Sequence, residues 1–398
     1  MLTLAGAILA GCGKPPPPRS PQEAMARASM EIDRLIAEQA SIRPGKPAVT
    51  VVPLGASDTV EFWYYAHPLM ARAFAAGGPA ASDTRTTHQY IGEWPAAVQK
   101  LTAALAADDL PDVAMVKRAL VAKLFDAGRI RALDSLLPPT MLEDLRAEAR
   151  EDYTYDGHLV ALPADGFCSV LFSNVDAIGS EPPRNWKYLS AYQNARRVAL
   201  GSPPGRSLGY FPFLEALWST GGDVLHSNRS ALNSPEAMRA LEFTLERRGG
   251  IPGDEEAAFA QYLRGELPMT VAQSNLVVKT RALAFPERLA PVPGETGPIS
   301  RRSNDALVVF VRGQGACAAS LSSFLDWLTG PQVMGERAAH DGSVPIRKSV
   351  QAEGALPEGV LDAYVAAKNT PLHPEWGAVE AELALGLAEA YRAVTERP

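Results

Sequence analysis

Apolar positions along the chain switch repeatedly between a spacing of two and a spacing of three to four. Met25, Met30, Ile32, Leu35 and Ile36 give a loosely helical stretch from Ser20 to about Ala40, and Ile42 to Pro47, centred on Pro44-Gly45, breaks it. Ala48 to Val52 reads as an extra strand. Val60 to Tyr65 is a dense aromatic strand, followed by a helix over His67 to Ala76 and a second strand over Thr86 to Ile91. Trp94, Val98, Leu101 and Leu105 then repeat on one helical face, with Pro95 in the first turn. Leu110 to Val116 enters a buried strand, and Val121 to Ala127 and Met141 to Arg150 continue as helices. Strands alternating with helices predict an α/β fold with a parallel sheet.

The stretch Asp156 to Asp176 interrupts this alternation. Asp156-Gly157 is a turn pair, Leu159 to Leu162 a short apolar strand, and Pro163 is expected to stop its pairing. Ser169 to Ser173 resumes as a strand long enough to enter a second core. Ala164 to Gly166 therefore reads as a hinge between two lobes, with Asp165 facing the space between them.

Beyond the hinge, Leu189 and Tyr192 belong to a helix, and Phe211 to Ser219 is an apolar helix ended by Gly221-Gly222. Asn233-Ser234-Pro235-Glu236 supplies a cap for a helix buried through Met238, Leu241 and Leu245. Phe259 to Leu263 is helical, and the strand Leu267 to Val271 ends in the polar loop Gln273-Ser274-Asn275. Arg288 to Pro293 is expected to cross back to the first lobe, where Asp305 to Val311 forms a strand and Leu321, Phe324, Leu325 and Leu328 a helix. Gly330-Pro331 suggests a third crossing. Gly342 to Ser349 loops back near the cleft, and Trp376, Val379, Leu383, Leu387 and Tyr391 form a final amphipathic helix.

With 398 residues, two or three domains are expected. A net charge of -7 leaves no basic footprint, which argues against nucleic acid and anionic membrane surfaces as partners. No apolar run after residue 12 is long enough to span a membrane. Neither a Gly-x4-Gly-Lys loop nor Gly-x-Gly-x-x-Gly occurs, and no cofactor or metal is expected. Cys168 and Cys317 lack metal-ligand spacing and read as small buried hydrophobes, a single disulfide between them being the alternative.

Met1 to Gly11 is apolar apart from Thr3 and ends in Leu9-Ala10-Gly11-Cys12, which resembles the lipobox of bacterial lipoproteins, although no Lys or Arg precedes it. That resemblance implies lipidation at Cys12, a membrane anchor and an extracytoplasmic site, with Gly13 to Pro18 as a tether. Five later segments resemble family 1 extracellular solute-binding proteins of bacterial ABC importers, the group with maltose- and glycerol-phosphate-type members. They are Leu110-Pro111-Asp112-Val113, the stretch from Asp156-Gly157, Leu217 to Asp223, Asn233 to Ala237, and Phe324 to Ser349. The likeness spans roughly residues 58 to 395. It implies two α/β lobes joined by three crossings, a ligand cleft between them, and delivery to a membrane permease by a monomer. The expected division is a signal peptide over 1–12, an N-terminal extension over 13–57, a first lobe of 58–164 plus 291–329, and a second of 165–290 plus 330–398.

A sugar presents C–H faces and a rim of hydroxyls, so its cleft needs aromatic platforms and directional polar groups. Trp63, Tyr64, Tyr65, Trp218 and Trp376 are platform candidates, and core packing is the alternative for each. Asp165 is the leading polar candidate. Glu93 stands where similar proteins place a ligand-contacting acid, and Gly222, Ser274, Asn275, Asn304 and Asp305 sit at turns or strand ends. Relatives often carry glycines at Asn304-Asp305 and an aromatic at Ser343, so these positions depart from the family pattern. Arg347 could bind a ligand oxygen or be a surface cation beside Lys348. The competing class is a glycosidase using Asp165 and Glu93 as carboxylates about 5 to 10 Å apart. A solute-sensing lipoprotein without a transport role is a third reading.

Overall fold

The computed structural model describes residues 17–42, 54–65, 70, 73–74, 84–179, 181–189, 199–200, 211–246, 255–312, 315–350 and 356–395. The expected strand over Ala48 to Val52, Cys12 and most of the helix from His67 to Ala76 lie outside them.

The strands are β1 (Thr59–Tyr64), β2 (Arg85–Tyr90), β3 (Val113–Val116), β4 (Thr154–Tyr155), β5 (His158–Leu159), β6 (Leu162–Pro163), β7 (Phe167–Asn174), β8 (Ala199–Leu200), β9 (Leu225–His226), β10 (Arg229–Ser230), β11 (Met269–Gln273), β12 (Glu287–Ala290), β13 (Ser300–Ser303), β14 (Ala306–Val309) and β15 (Ala367–Lys368). They form two main sheets and two small hairpins. The first sheet has the order β2-β1-β3-β14-β6, parallel through β1, β2 and β3, with β14 antiparallel to β3 and to β6. The second has the order β15-β13-β7-β11-β8, with β12 also paired to β7.

β1 is apolar nearly throughout because both of its faces are covered. Phe62 and Tyr64 pack with Phe74 on one face, and Phe62 also meets Phe324. Trp63 faces the other way, its indole N–H donating to Glu61 at 3.0 Å and its ring 4.3 Å from the Lys100 ammonium. The helix Trp94–Ala107 buries Ala97, Leu101 and Ala104. Two of those three are alanines, so its buried stripe is rotated from the one marked by the large side chains.

The expected helix over Met141 to Arg150 is two short ones, Pro139–Asp144 and Ala147–Asp152. Leu145 between them is extended and bridges Arg347. Pro163 does not stop the pairing. It is the last residue of the edge strand β6, opposite Ala306, a place where a missing N–H is tolerated.

Two expected lobe boundaries move. Arg288 to Pro293 does not cross, since β12 pairs with β7 and β13 also belongs to the second sheet, so the passage falls between Ser303 and Ala306. Gly330-Pro331 does not cross either. The helix Pro331–Asp341 starts there and packs Val333 and Met334 into the first lobe's core, with Ile346 and Val350. Gly330 opens that helix with Pro331 in its first turn, so the pair starts a helix and does not leave the lobe. Val344, between that helix and Ile346, touches the second lobe's core, and the chain returns to that core at Leu356 and Val360. The helix Pro21–Ile42 packs on the second lobe, where Ala24, Met25 and Ile32 share a core with Leu217, Leu241, Val379 and Leu383. Cys168 and Cys317 are both free thiols.

Candidate functional site

Strand direction places the facing edges of the two sheets. β1, β2 and β3 run parallel and end at one edge, β14 starts there, and β6 ends there. That edge carries Tyr65, Gly92, Lys117, Ala164 and Asp305. In the second sheet β7 starts just after the hinge, and its antiparallel partners β11 and β13 end beside that start, as does β15, which is parallel to β13. Its edge carries Phe167, Ser274, Asn304 and Lys368. Ligands of α/β sheets bind outside the carboxyl ends of strands, so the gap between these edges is the candidate cleft.

The hinge closes one end of the gap. Ala164 N–H donates to the Asp305 carbonyl at 2.7 Å, Gly166 N–H to Ser343 Oγ at 2.9 Å, and Val344 N–H to the Gly166 carbonyl at 2.8 Å. A Cβ on Gly166 would stand 2.0 Å from the Val344 carbonyl oxygen, which is why this residue must be glycine. Asp165 is buried, contrary to the expected cleft acceptor. It accepts from Asp305 N–H at 3.2 Å and lies 3.6 Å from an Arg337 nitrogen. Arg337, itself buried, also pairs with Asp341 at 3.2 Å and donates to the Ala164 carbonyl. Burial raises the Asp341 carboxyl above its ordinary range, against the pull of Arg337.

Beside the hinge, a polar network joins the lobes. Arg302 Nε donates to both Asp152 carboxylate oxygens at 3.0 and 2.9 Å, and its Nη2 donates at 2.9 Å. Their side chains are 4% and 2% exposed. Burial disfavours the Arg302 charge, but Asp152 more than restores it and the guanidinium is raised. Asn304, expected at the ligand, instead donates to Asp152 at 3.1 Å, and Asn369 donates to Asp152 at 2.9 Å and to Asn304 Oδ1 at 2.7 Å. Tyr153 OH donates to the Asn304 carbonyl at 3.0 Å. Arg118 donates to the Thr370 carbonyl from two nitrogens, at 3.0 and 2.8 Å, with its guanidinium 5.0 Å from the Tyr153 ring centre.

On the first-lobe edge Lys117 stands beside Asp305, the half-buried Trp94 and the fully buried Tyr65, which is 1% exposed. Lys117 Nζ lies 2.8 and 3.2 Å from the two Asp305 oxygens, 5.2 Å from the Tyr65 ring and 5.8 Å from the Trp94 ring. The two rings are 5.0 Å apart. Burial raises the Asp305 carboxyl, and Lys117 partly offsets that. Burial and the adjacent Asp305 raise the Tyr65 phenol; its hydroxyl lies near Asp305 but short of good hydrogen-bond geometry. Glu93 is exposed at the start of the helix Trp94–Ala107 and accepts from Tyr90 OH at 2.9 Å.

On the second lobe, Trp218 is largely buried and its indole N–H donates to Asp223 at 3.3 Å. Lys368 Nζ lies 2.6 Å from Asp223 and 5.5 Å from the Trp218 ring. Gly221 takes φ +83° and ends the helix, and a Cβ on Gly222 would stand 2.5 Å from Leu217 Cδ1. Gly222 is thus a packing residue. Asn275 is half-buried at the start of a 3-10 turn, its side-chain oxygen lacking a hydrogen bond, and Ser274 Oγ accepts from Cys168 N–H at 3.3 Å.

Three further candidates belong to the scaffold. Tyr64 lies in the aromatic core, Trp376 is 2% exposed in the core under the final helix, and Arg347 pairs with Asp144 at 2.7 Å and Asp326 at 2.6 Å in the first lobe. Lys117, Trp94, Asp223 and Lys368 were not singled out from the chain. Lys117 is the first charge after a buried strand and Asp223 follows the glycine pair, signals that could have found them. Lys368, on a two-residue strand, has none. Among the described residues no three His, Cys, Asp or Glu side chains converge as a metal site.

Two sheets joined by crossings at Ala164 to Gly166 and at Asn304-Asp305 define a two-lobe fold of the periplasmic-binding type. The chain belongs to the bacterial extracellular solute-binding protein family, whose sequence pattern matches residues 70–367. Membership places it outside the cytoplasm. A maltotriose-binding protein of Pyrococcus abyssi (strain GE5 / Orsay) is 21% identical over 311 residues, 70% of this chain and 66% of that relative's length, just under two thirds. The sugar-binding protein MalE from Xanthomonas citri superposes with a TM-score of 0.73 at 20% identity, covering 85% of this chain and 93% of that one. The cyclic alpha-maltosyl-1,6-maltose binding protein from Arthrobacter globiformis gives 0.68 at 21%, covering 86% and 100%. Both structures share the fold.

Proposed function

We propose that this protein captures a carbohydrate in the gap between its lobes and presents the closed form to the permease of an ABC importer. The observation that carries the reading is the first-lobe edge, where Lys117 and Asp305 supply a donor and an acceptor beside the half-buried Trp94 ring. This is the combination a ring of hydroxyls over C–H faces requires. The carbohydrate-binding names of the relatives support it. Asp165, held between the Asp305 amide and Arg337, is poorly placed to serve as one of two glycosidase carboxylates. Closure stabilises the ligated form only through contacts made from both lobes at once.

Thermal-shift screening of neutral mono- to trisaccharides, polyols and sugar phosphates tests the reading. At least one carbohydrate should raise the melting temperature, with a micromolar Kd equivalent to about -8.2 kcal/mol. Trp94→Ala should weaken that binding tenfold or more. Stabilisation by peptides or metals alone, or sustained glycoside hydrolysis, would count against it.

In the same reading Cys12 carries the lipid, and Gly13 to Pro18 tether the second lobe through the helix Pro21–Ile42. Cys12→Ser is expected to move the protein from the membrane fraction to the soluble one; unchanged fractionation would remove the anchor.

A further inference from the structure

Lys117 and Lys368 stand in matching settings on opposite sides of the gap. Each ends a strand or directly follows one, and each is paired with an aspartate, at 2.8 Å to Asp305 and 2.6 Å to Asp223. Each lies over aromatic rings, Tyr65 and Trp94 for the first and Trp218 for the second. Strand order makes them neighbours across the gap. β3 lies beside β14, β15 lies beside β13, and β13 runs into β14 through Asn304-Asp305, so the ends of β3 and β15 flank one crossing. Arg118, next to Lys117, reaches the carbonyl of Thr370, two residues past Lys368. The two lysine side chains remain 42% and 45% exposed.

We infer that the Lys117–Asp305 and Lys368–Asp223 pairs are the two polar jaws that grip one ligand, and that they select a neutral, hydroxyl-bearing ligand over its anionic counterparts. The inference rests on the carbohydrate-cleft reading above. A hydroxyl donates one hydrogen bond and accepts others, and a Lys–Asp pair offers a donor and an acceptor side by side. A carboxylate or phosphate is served poorly by the same pair. The ammonium charge is already neutralised at ion-pair distance, and an entering anion meets the aspartate at nearly the same range, a like-charge contact. Arg118, another cation at this point, is engaged by the Thr370 carbonyl and the Tyr153 ring, and Arg301, the register partner of Lys368, is buried against the Phe211 ring.

Calorimetry on the full chain with the neutral saccharide giving the largest thermal shift, alongside its uronate and its 6-phosphate, tests the selection. The neutral form is expected to bind at least tenfold tighter than either anion. Lys117→Met and Lys368→Met should each weaken it about tenfold or more, with the ligand-free melting temperature unchanged in Lys368→Met, whose partner Asp223 is the more exposed aspartate. Asp223→Asn, which frees the Lys368 charge, should narrow the preference against the uronate. A uronate or phosphate bound as tightly as the neutral sugar would overturn the inference and leave the carbohydrate reading standing. Unchanged affinity in Lys368→Met would overturn the second jaw. A chain that no carbohydrate stabilises would overturn both the inference and the reading beneath it.

Discussion

Asp152→Ala is expected to destabilise the protein by about 3 to 5 kcal/mol, near the upper end of that range. Arg302 would keep its charge in a site where its side chain is only 4% exposed, having lost three hydrogen bonds to one carboxylate. Asn304 and Asn369 would each lose an acceptor at the same position, and a buried donor left unmatched adds about 1 to 3 kcal/mol. Because Asp152 belongs to the first lobe and Arg302 and Asn369 to the second, the loss should also loosen the contact between lobes. Asp152→Asn keeps an acceptor oxygen without the charge and should fall between the two. Urea denaturation of the ligand-free protein measures the effect. A loss below about 1 kcal/mol, the range of exposed pairs, would show that the network is solvated.

Asp165→Ala is expected to cost about 3 kcal/mol, the lower end of the range for breaking a buried pair, because Asp341 remains beside Arg337. Ligand affinity should fall with it, through the hinge. The Asp305 amide would lose its carboxylate acceptor, and Asp305 positions Lys117. Normal stability with affinity lost would instead restore Asp165 to the role of a direct ligand contact, the role its place in the sequence suggested.

The contrast between the position and the role of Asp165 marks what the chain made legible. A proline, a glycine and two flanking apolar strands locate a break between cores, and the chain passes from the first sheet to the second between Pro163 and Phe167. What Asp165 touches depends on Arg337, far along the chain in a helix that was assigned to the other lobe. Local pattern carries no record of that contact. The aromatic strand β1 was evident, but which of its rings reach the cleft was not. A strand covered on both faces buries every ring along it, and Tyr65, one residue past its end at the sheet edge, is buried as well, at 1% exposure. β13 was missed for a related reason: Ser300-Arg301-Arg302-Ser303 has no alternating apolar pattern, and its arginines are buried because their partners come from elsewhere in the chain. Trp376 and Tyr64 looked like platforms by residue type alone, and packing assigns both to cores.

The central claim is that one carbohydrate is held by both lobes and biases them toward closure. The distance distribution between spin labels at Arg85→Cys on the first lobe and Leu385→Cys on the second, in a Cys317→Ser background, tests it most directly. Adding the carbohydrate that stabilises the protein should narrow the distribution and deplete its longer distances. An identical distribution with and without the bound sugar would contradict the account.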